Sequence, residues 1–186
     1  RPALSIQNMR LAHGQTKPSG DGMLHIALFQ PDIPQNTGTI LRTCACLGVA
    51  AHIIEPAGFP VDDRAFRRAG MDYLNDVRII RHRDWTAFDV WRREKAMALT
   101  LFTTKGAQSY LAHRYSDREI LLFGRESAGV PEDVHGTADF RLFIPIRAGM
   151  RSLNIAVSTA MAMSEAIRQI GPSGGDSPQG TRHQSI

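Results

Sequence analysis

The amino-acid sequence predicts an α/β fold with a mostly parallel sheet and helices on both faces. Short apolar runs, which are typical of buried strands, alternate along the chain with amphipathic or capped helical patterns. Such alternation indicates βαβ units. Hydrophobic residues make up 42% of the 186 residues and charged residues 22%. This balance allows a buried core and excludes global disorder.

The folded unit is predicted to span residues 23–170. Residues 1–22 show no sustained apolar period, and residues 171–186 are rich in Gly, Pro, Ser and Gln. Segments of this composition bury too little apolar surface to become ordered. We therefore expect a flexible N-terminal extension, one domain and a disordered C-terminal tail.

The first predicted strand covers residues 24–30, where LHIALFQ is largely apolar. A helix is expected over residues 36–47, because its apolar side chains recur at helical spacing, namely Ile40, Leu41, Cys44 and Leu47. Asn36 is the expected N-cap of this helix, and Gly48 supplies its C-terminal stop.

The next three elements are a strand, a short helix and another strand. Residues 50–54, AAHII, form the second predicted strand. Asp62 and Asp63 suit the start of a short helix ending near residue 70, because carboxylates are favourable at the positive end of a helix dipole. A third strand is expected over residues 76–80.

The remaining elements follow the same logic. Residues 84–94 are predicted to form a helix, and short apolar runs predict strands over residues 96–102, 119–123 and 140–146. The longest helix is expected over residues 152–169, where Ala and Met are frequent. Ser152 and Asn154 are polar residues suited to its start, and Gly171 lies just beyond its end.

Several classes of protein are excluded by the sequence. It contains no run of about 18 apolar residues for a transmembrane helix, and residues 1–22 lack the apolar core of a secretory signal. Cys44 and Cys46 would point to nearly opposite sides of a helix, so they cannot form a disulfide there. No HExxH or paired Cys/His spacing supports a metal site. We expect a reduced, cytoplasmic protein that needs no metal.

Common nucleotide-binding and nucleophile motifs are missing as well. There is no GxGxxG after the first strand, no GxxxxGK[ST] and no GxSxG. Ligands of parallel sheets usually bind at the carboxyl ends of the strands. Three loops at such ends stand out, at residues 30–42 (QPDIPQNTGTILR), 122–131 (LFGRESAGVP) and 143–154 (FIPIRAGMRSLN). Singly, each is compatible with a capped helix or a surface turn.

Together, and in this order, the three loops resemble the SpoU-type branch of the SPOUT methyltransferases. The first carries N-x-G-x-x-x-R from Asn36 to Arg42, and the second carries G-x-E-x-x-G-[LIV]-P over residues 124–131. The third carries I-P-I followed by S-L-N over residues 144–154. The resemblance covers about residues 24–170, essentially the whole folded unit.

Shorter segments are similar to one subgroup, the single-domain TrmL type, which methylates the wobble nucleotide of tRNA. These segments are HIIEP at residues 52–56, RRAGMDY at 67–73 and TTKG at 103–106. Ala156 departs from the pattern, because many relatives have Ser or Asn there. Its effect on the hydrogen-bond network around the third motif is expected to be minor if Ser152 and Asn154 make the polar contacts.

The resemblance implies a fold and a cofactor that composition does not reveal. SPOUT members tie the C-terminal third of the chain into a deep trefoil knot, bind S-adenosylmethionine in the knot loops and are usually homodimers. The implied cofactor-binding residues are Phe102, Gly124, Gly129, Ile144, Ser152 and Leu153. Apolar side chains among them suit the adenine. For Phe102 and Ile144 a plain core position is the alternative.

The resemblance also implies transfer of a methyl group to a ribose 2′-hydroxyl. The implied catalytic residues are Asn36, Arg42, Glu126, Ser152 and Asn154. The Arg42 guanidinium suits clamping a phosphate and hydrogen-bonding the nucleophile, and we favour this role over that of a general base because a neutral arginine is costly. Glu126 is expected to orient Arg42 or an arginine of the partner subunit. No metal is implied.

RNA is the implied substrate, and the net charge of +4 permits an anionic partner without demanding one. The candidate RNA-binding residues are Arg64, Arg67, Arg68 and Arg81, of which the first three share a helical face. A solvated basic face is the alternative. If these arginines only pair with Asp62 and Asp63, the RNA-facing surface lies elsewhere, around Arg147 and Arg151.

The leading hypothesis is a tRNA 2′-O-methyltransferase that acts on the wobble nucleotide, C or U, in the anticodon stem-loop. One alternative is a related 2′-O-methyltransferase acting on rRNA or another tRNA position. The other is a catalytically silent RNA-binding SPOUT protein. The polar residues of the three motifs are intact, which argues against a protein without catalytic activity.

Overall fold

The computed structural model describes residues 24–61 and 76–171. The predicted N-terminal extension, the predicted tail beyond residue 171 and the short helix predicted over residues 62–70 lie outside the described residues. In the two described ranges, no helix is both long and apolar enough to cross a membrane.

The described part of the chain alternates strands and helices, as its sequence predicts. The strands are β1 (His25–Phe29), β2 (Ala50–Ile54), β3 (Ile79–His82), β4 (Ala98–Phe102), β5 (Gln108–Ser109), β6 (Glu119–Phe123) and β7 (Phe140–Phe143). The helices are α1 (Pro34–Leu47), α2 (Trp85–Glu94), α3 (Glu132–Thr137) and α4 (Ile155–Ile170).

The strands form one sheet in the order β3-β2-β1-β6-β4-β7-β5. Every neighbouring pair is parallel, which confirms the predicted parallel α/β architecture. The chain builds outward from β1 to β3 on one side and places the later strands on the other side. The strand order therefore reverses between β1 and β6, and such a switch point opens a crevice at the carboxyl ends of the strands.

Helices cover both faces of the sheet, as predicted. On one face, Ile26 and Leu28 of β1 belong to a core cluster that includes Leu41 of α1 and Met163 of α4. On the other face, the intervening residues of β1 belong to a second cluster that includes Phe88 of α2. This division follows from the alternation of side chains along a strand. It also means that α1 and α4 pack on the same face of the sheet. The first motif lies in α1, and the third motif directly precedes α4.

The predicted boundaries differ from the structure at a few places. Strand β3 begins at Ile79 rather than at residue 76, and β7 ends at Phe143 rather than at residue 146. Pro145 lies just beyond β7 and has no N–H for a sheet hydrogen bond. The two-residue strand β5 and the short helix α3 were not predicted, because neither shows a sustained apolar period.

The prediction that Asn36 caps α1 is wrong. The helix begins two residues earlier with Pro34, whose fixed φ suits the first helical turn, and Ile33 is the N-cap residue without a side-chain cap. Gly48 ends the helix in the left-handed conformation (φ 67°), as predicted. Asn36 thus lies inside the first turn, and its side-chain amide is available for other contacts.

Helix α4 begins at Ile155 rather than at residue 152. The Asn154 side chain accepts hydrogen bonds from the backbone N–H groups of Ala156 and Val157 and so caps the helix. Ser152 therefore lies in the preceding loop, not at the helix start. Between the two predicted starting residues, the structure assigns the capping role to Asn154.

Three buried histidines form a hydrogen-bonded row across β1, β2 and β3. His25 Nδ1 lies 2.7 Å from His52 Nε2, and His52 Nδ1 lies 2.8 Å from His82 Nε2. Trp91 and Phe88 of α2 pack against the rings. Burial lowers the pKa of His52 to about 2, with further lowering by His25, His82 and Arg78, and burial also lowers the pKa of His82. The folded chain therefore holds His52 neutral.

Lowering the pH from about 7.5 to about 5.5 is expected to decrease the free energy of unfolding. His52 takes up a proton near its ordinary pKa of about 6.5 once the chain unfolds, but stays neutral while it is folded. Its contribution is fully present above about pH 6.5 and is lost at about 1.4 kcal/mol per pH unit below it.

Urea unfolding at several pH values measures this dependence. The matched variant His52→Gln keeps a hydrogen-bonding side chain but cannot titrate, so its stability should vary less with pH over the same range. Identical pH profiles for the variant and the parent would contradict the prediction.

Candidate active site

A cleft of about 650 Å³ lies at the carboxyl edge of the sheet, where the switch point is. Its floor comes from the ends of two neighbouring strands, at Phe102 of β4 and Phe123 of β6. Because all strands run in the same direction, the loops that follow them converge on this edge. The three loops singled out in the sequence therefore meet in space.

All three motifs contribute to the lining of the cleft. The first contributes Asn36, which lies in the first turn of α1. The predicted residues of the other two motifs that line the cleft are Gly124, Glu126, Gly129, Ile144, Ser152, Leu153 and Asn154. Sequence positions more than 100 residues apart are thus brought into one site.

A chain of hydrogen bonds links the three motifs. Asn36 Nδ2 donates to Glu126 Oε1 at 3.0 Å, and Asn154 Nδ2 donates to Asn36 Oδ1 at 3.0 Å. Asn36 therefore bridges a carboxylate on one side and an amide on the other. Since Asn154 also caps α4, the start of that helix is fixed relative to the start of α1 and to the loop after β6.

Asp32, which the sequence analysis did not single out, holds the loop after β6 against the loop after β1. Its backbone N–H donates to Glu126 Oε2, and the Glu126 N–H donates to Asp32 Oδ1, each at 3.2 Å. The Ser127 hydroxyl donates to Asp32 Oδ2. The detectable signal in the sequence was an acidic residue three positions beyond a buried strand, at the edge where ligands bind.

The two carboxyl groups of this pair have opposite pKa shifts. Burial raises the pKa of Glu126, and the neighbouring Asp32 raises it further. Hydrogen bonds from Glu126 and Ser127 lower the pKa of Asp32 to about 2. When one proton is shared between the two, Glu126 holds it first and Asp32 stays ionised.

The second motif forms a tight turn that closes on itself. Arg125 and Gly129 exchange two backbone hydrogen bonds, at 2.9 and 2.8 Å, and Gly129 has a φ of 68°. A Cβ on Gly124 would lie 2.5 Å from the carbonyl carbon of Gly129. Gly124 is therefore required by the close approach of its own turn, and not only by access to a ligand.

Aromatic and aliphatic side chains form the apolar wall. The rings of Phe102 and Phe123 stack with centroids 4.9 Å apart and an interplanar angle of 18°. Phe102 also packs with Ile144 against the buried core, so both residues serve the core and the cleft together. Leu153 is 39% exposed and offers apolar surface to a ligand.

S-adenosylmethionine, the cofactor that the resemblance implies, fits the residues present. Ligand pockets typically have about 300–1,000 Å³, mostly apolar walls and a few placed polar groups. The cleft combines its apolar wall with the hydroxyl groups of Ser152 and Thr103. Among the residues the structure describes, the one buried side-chain nitrogen or oxygen lacking a hydrogen-bond partner is His135 Nε2, and His135 also lines the cleft.

Arg42 is not among the residues that line the cleft. It is exposed on α1, six residues beyond Asn36, which places it about 9 Å further along the helix and on another side. Glu126, which was expected to orient an arginine, instead contacts Asn36 and Asp32. The single chain thus assembles four of the five predicted catalytic residues, and Arg42 lies apart from them.

Of the predicted RNA-binding residues, the structure describes Arg81, which does not line the cleft. Arg64, Arg67 and Arg68 fall outside the described residues. Arg81 is on β3 and directs its guanidinium to Glu55 Oε1, at 2.8 Å from Nε and 2.7 Å from Nη2. In the described ranges no group of His, Cys, Asp or Glu is arranged to hold a metal ion.

The family model of the SpoU rRNA Methylase family matches residues 23–164. A tRNA (cytidine(34)-2′-O)-methyltransferase of Beijerinckia indica is 60% identical over 146 residues, which cover 78% of this chain and 91% of that protein. A solved structure on the 2-OH methylation of C/U34 on tRNA has 39% identity and a TM-score of 0.74, covering 81% of this chain and 97% of the other.

A third similar protein carries a cofactor. The structure of an AdoMet-bound rRNA methyltransferase from Sinorhizobium meliloti has 27% identity and a TM-score of 0.72. The match covers 80% of this chain and 57% of that protein.

Proposed function

The chain belongs to the SpoU rRNA methylase family, and on that premise we propose that it methylates the wobble nucleotide of tRNA. The reaction transfers a methyl group from S-adenosylmethionine to the ribose 2′-hydroxyl of C or U at position 34. The observation that carries the proposal is the 60% identity with a tRNA (cytidine(34)-2′-O)-methyltransferase over 91% of that protein. The cleft supports the proposal, because residues from all three motifs line it.

The cleft residues divide into two groups by what they do. Phe102, Ile144 and Leu153 hold the adenine, and Ser152 supplies a hydroxyl for hydrogen bonding. The bound cofactor supplies an activated methyl group on a positively charged sulfur. The protein must place the 2′-hydroxyl in line with that group, because correct orientation accounts for much of the rate.

The second group is the network of Glu126, Asn36 and Asn154, which positions the catalytic loops. Its side chains contact one another and fix the distance between the loops after β1 and β6 and the start of α4. We assign these residues a positioning role. Arg42 is assigned to the RNA, where its guanidinium binds a phosphate and stabilises charge on the attacking oxygen.

Two substitutions of Asn154 distinguish its contact with Asn36 from its capping of α4. Asn154→Asp keeps the oxygen that caps α4 but removes the N–H group that Asn36 accepts from. We expect a near-parental thermal midpoint and a loss of at least about tenfold in methyl transfer. Asn154→Ala removes both contacts and should also lower the free energy of unfolding by about 1 kcal/mol. Equal activity of the Asp variant and the parent would contradict the positioning role.

We also propose that two copies of the chain form the working enzyme. The catalytic assignment of Arg42 supports a dimer, because this residue is exposed on α1 and does not line the cleft of its own chain. Exposed apolar side chains beside the cleft give the second copy a contact surface, namely Ile33, Leu153 and Val157. Light scattering should give about twice the mass of the 20.6 kDa chain at micromolar concentration.

Three further assignments rest on the same premise. The C-terminal third of the chain is expected to be tied in the trefoil knot of the SPOUT fold. The domain is expected to span residues 23–170, and the protein to act in the cytoplasm. Cys44 and Cys46 are both free, which supports a reducing compartment.

The reaction is tested by incubating the chain with tritiated S-adenosylmethionine and bulk tRNA or rRNA. Mass mapping should find the new methyl group on the ribose of nucleotide 34. Methylation of rRNA or of another tRNA position would favour the related 2′-O-methyltransferases. Binding of tRNA without transfer would favour the silent RNA-binding protein.

A further inference from the structure

Three cations beside the cleft have neither a carboxylate partner nor a side-chain hydrogen bond among the residues that the structure describes, unlike Arg125, which donates to Gln30. They are Lys105, Arg147 and Arg151, and together we call them the cation rim. Lys105 and Arg151 line the cleft, and Arg147 belongs to the same exposed loop as Arg151. None of the three makes an ion pair within the two described ranges.

Arginines on the outer faces of the helices differ from the rim. Arg92 and Arg93 of α2 contact the carboxylate of Asp89, at 2.7 and 2.8 Å. Arg168 of α4 contacts Glu165 at 2.7 Å. These ion pairs offset the charges of Arg92, Arg93 and Arg168, whereas the described residues provide no such pair for the rim cations.

Backbone contacts place the turn that bears Lys105 against the end of β7. The turn that bears Lys105 lies over the carboxyl end of β7, since the Thr103 N–H donates to the Leu142 carbonyl at 2.9 Å. A Cβ on Gly106 would lie 2.5 Å from the carbonyl carbon of Leu142. Strand β7 leads directly into the loop that carries Arg147 and Arg151. Lys105 is thus positioned beside that loop by the sheet itself.

We propose that the cation rim binds the phosphates of the RNA strand that flank the nucleotide in the cleft. The inference rests on the proposed function, and it favours the alternative RNA-facing surface around Arg147 and Arg151 and extends it to Lys105. A cofactor carries one carboxylate, whereas an RNA strand carries a charge at every nucleotide. The three cations of the rim therefore match the charges of an RNA strand better than the single carboxylate of a cofactor. Neutralising the phosphates of the strand gives salt-dependent affinity.

The test compares two double variants of the full chain. Arg147→Ala with Arg151→Ala removes two rim charges, and Arg93→Ala with Arg168→Ala removes two charges that are already paired. Binding of a tRNA anticodon stem-loop is measured over a range of salt concentrations. Calorimetry with S-adenosylmethionine and thermal midpoints are measured for the same proteins.

We expect the rim variant to bind the stem-loop at least about tenfold more weakly. The slope of log affinity against log salt should fall by about one unit for each phosphate that the variant no longer neutralises. The control pair should keep the parental affinity and slope. Arg147→Lys with Arg151→Lys keeps the charge and should retain most of the slope. Lys105→Ala should also weaken binding of the stem-loop.

Two results would overturn the proposal. One is a folded rim variant with the parental affinity and salt slope. The other is a matching loss of cofactor affinity, which would assign the cations to the cofactor carboxylate. Both differ from failure of the proposed function, because that failure appears in the parent as a lack of methyl transfer to tRNA.

Discussion

Arg42→Ala is expected to reduce methyl transfer by about a thousandfold while leaving cofactor affinity nearly unchanged. A single donor that stabilises charge on a reacting oxygen typically contributes about a hundred- to a thousandfold to the rate. The cofactor-binding residues belong to other loops, and Arg42 is exposed and does not line the cleft that would hold the cofactor. The mutation should therefore separate catalysis from cofactor binding.

Calorimetry and a tritium-transfer assay on the same preparation measure the two properties. Arg42→Lys is the matched variant, because it keeps the charge but loses the planar fork that binds a phosphate through two N–H groups. It should recover part of the activity at low salt. An equal loss of cofactor binding and transfer in Arg42→Ala would show that Arg42 supports the fold or the cofactor pocket instead.

Glu126→Ala is expected to have the second largest effect, a loss of about a hundredfold in methyl transfer. Glu126 accepts from Asn36 Nδ2 and from the backbone N–H of Asp32, so its removal releases the loop after β6 from the loop after β1. A displacement of about 1 Å in an active site can cost about a hundredfold in rate. The half-buried donors left without a partner should also lower the free energy of unfolding by about 1–3 kcal/mol.

The Glu126→Gln variant distinguishes the positioning role of Glu126 from an effect of its negative charge. The glutamine oxygen can still accept from Asn36, so the variant should be more active than Glu126→Ala. Glu94→Ala, at an exposed position on α2, serves as the control for loss of a carboxylate. Parental activity in Glu126→Ala would contradict the role of the network.

The sequence was sufficient for the architecture because local signals and the global fold agree. Continuous apolar runs predicted buried parallel strands at β1, β2 and β6, which are fully buried. Helix α2 begins after Asp84, whose side chain caps it, within one residue of the prediction. Of the catalytic and cofactor-binding residues named from the resemblance, all but Arg42 line the cleft.

Other features depended on contacts between distant segments. Asp32 pairs with Glu126 across 94 positions, and no period or local spacing indicates such a contact. Strand β5 exists because β7 offers it an edge, since a two-residue strand has no pattern of its own. The row of histidines arises only because β1, β2 and β3 are neighbours in the sheet.

Asn36 has a role that local sequence rules did not predict and that its tertiary contacts determine. Its residue type and its place after two prolines suggested a helix cap, although Pro34 is itself a residue type favoured at the first helical position. The tertiary structure moved the helix start to Pro34 and turned the amide toward Glu126 and Asn154. The sequence by itself determined most of the strands and helices and the edge where a ligand binds. Only the tertiary structure decided which polar side chains meet there, because these hydrogen bonds join segments about 90 to 120 residues apart.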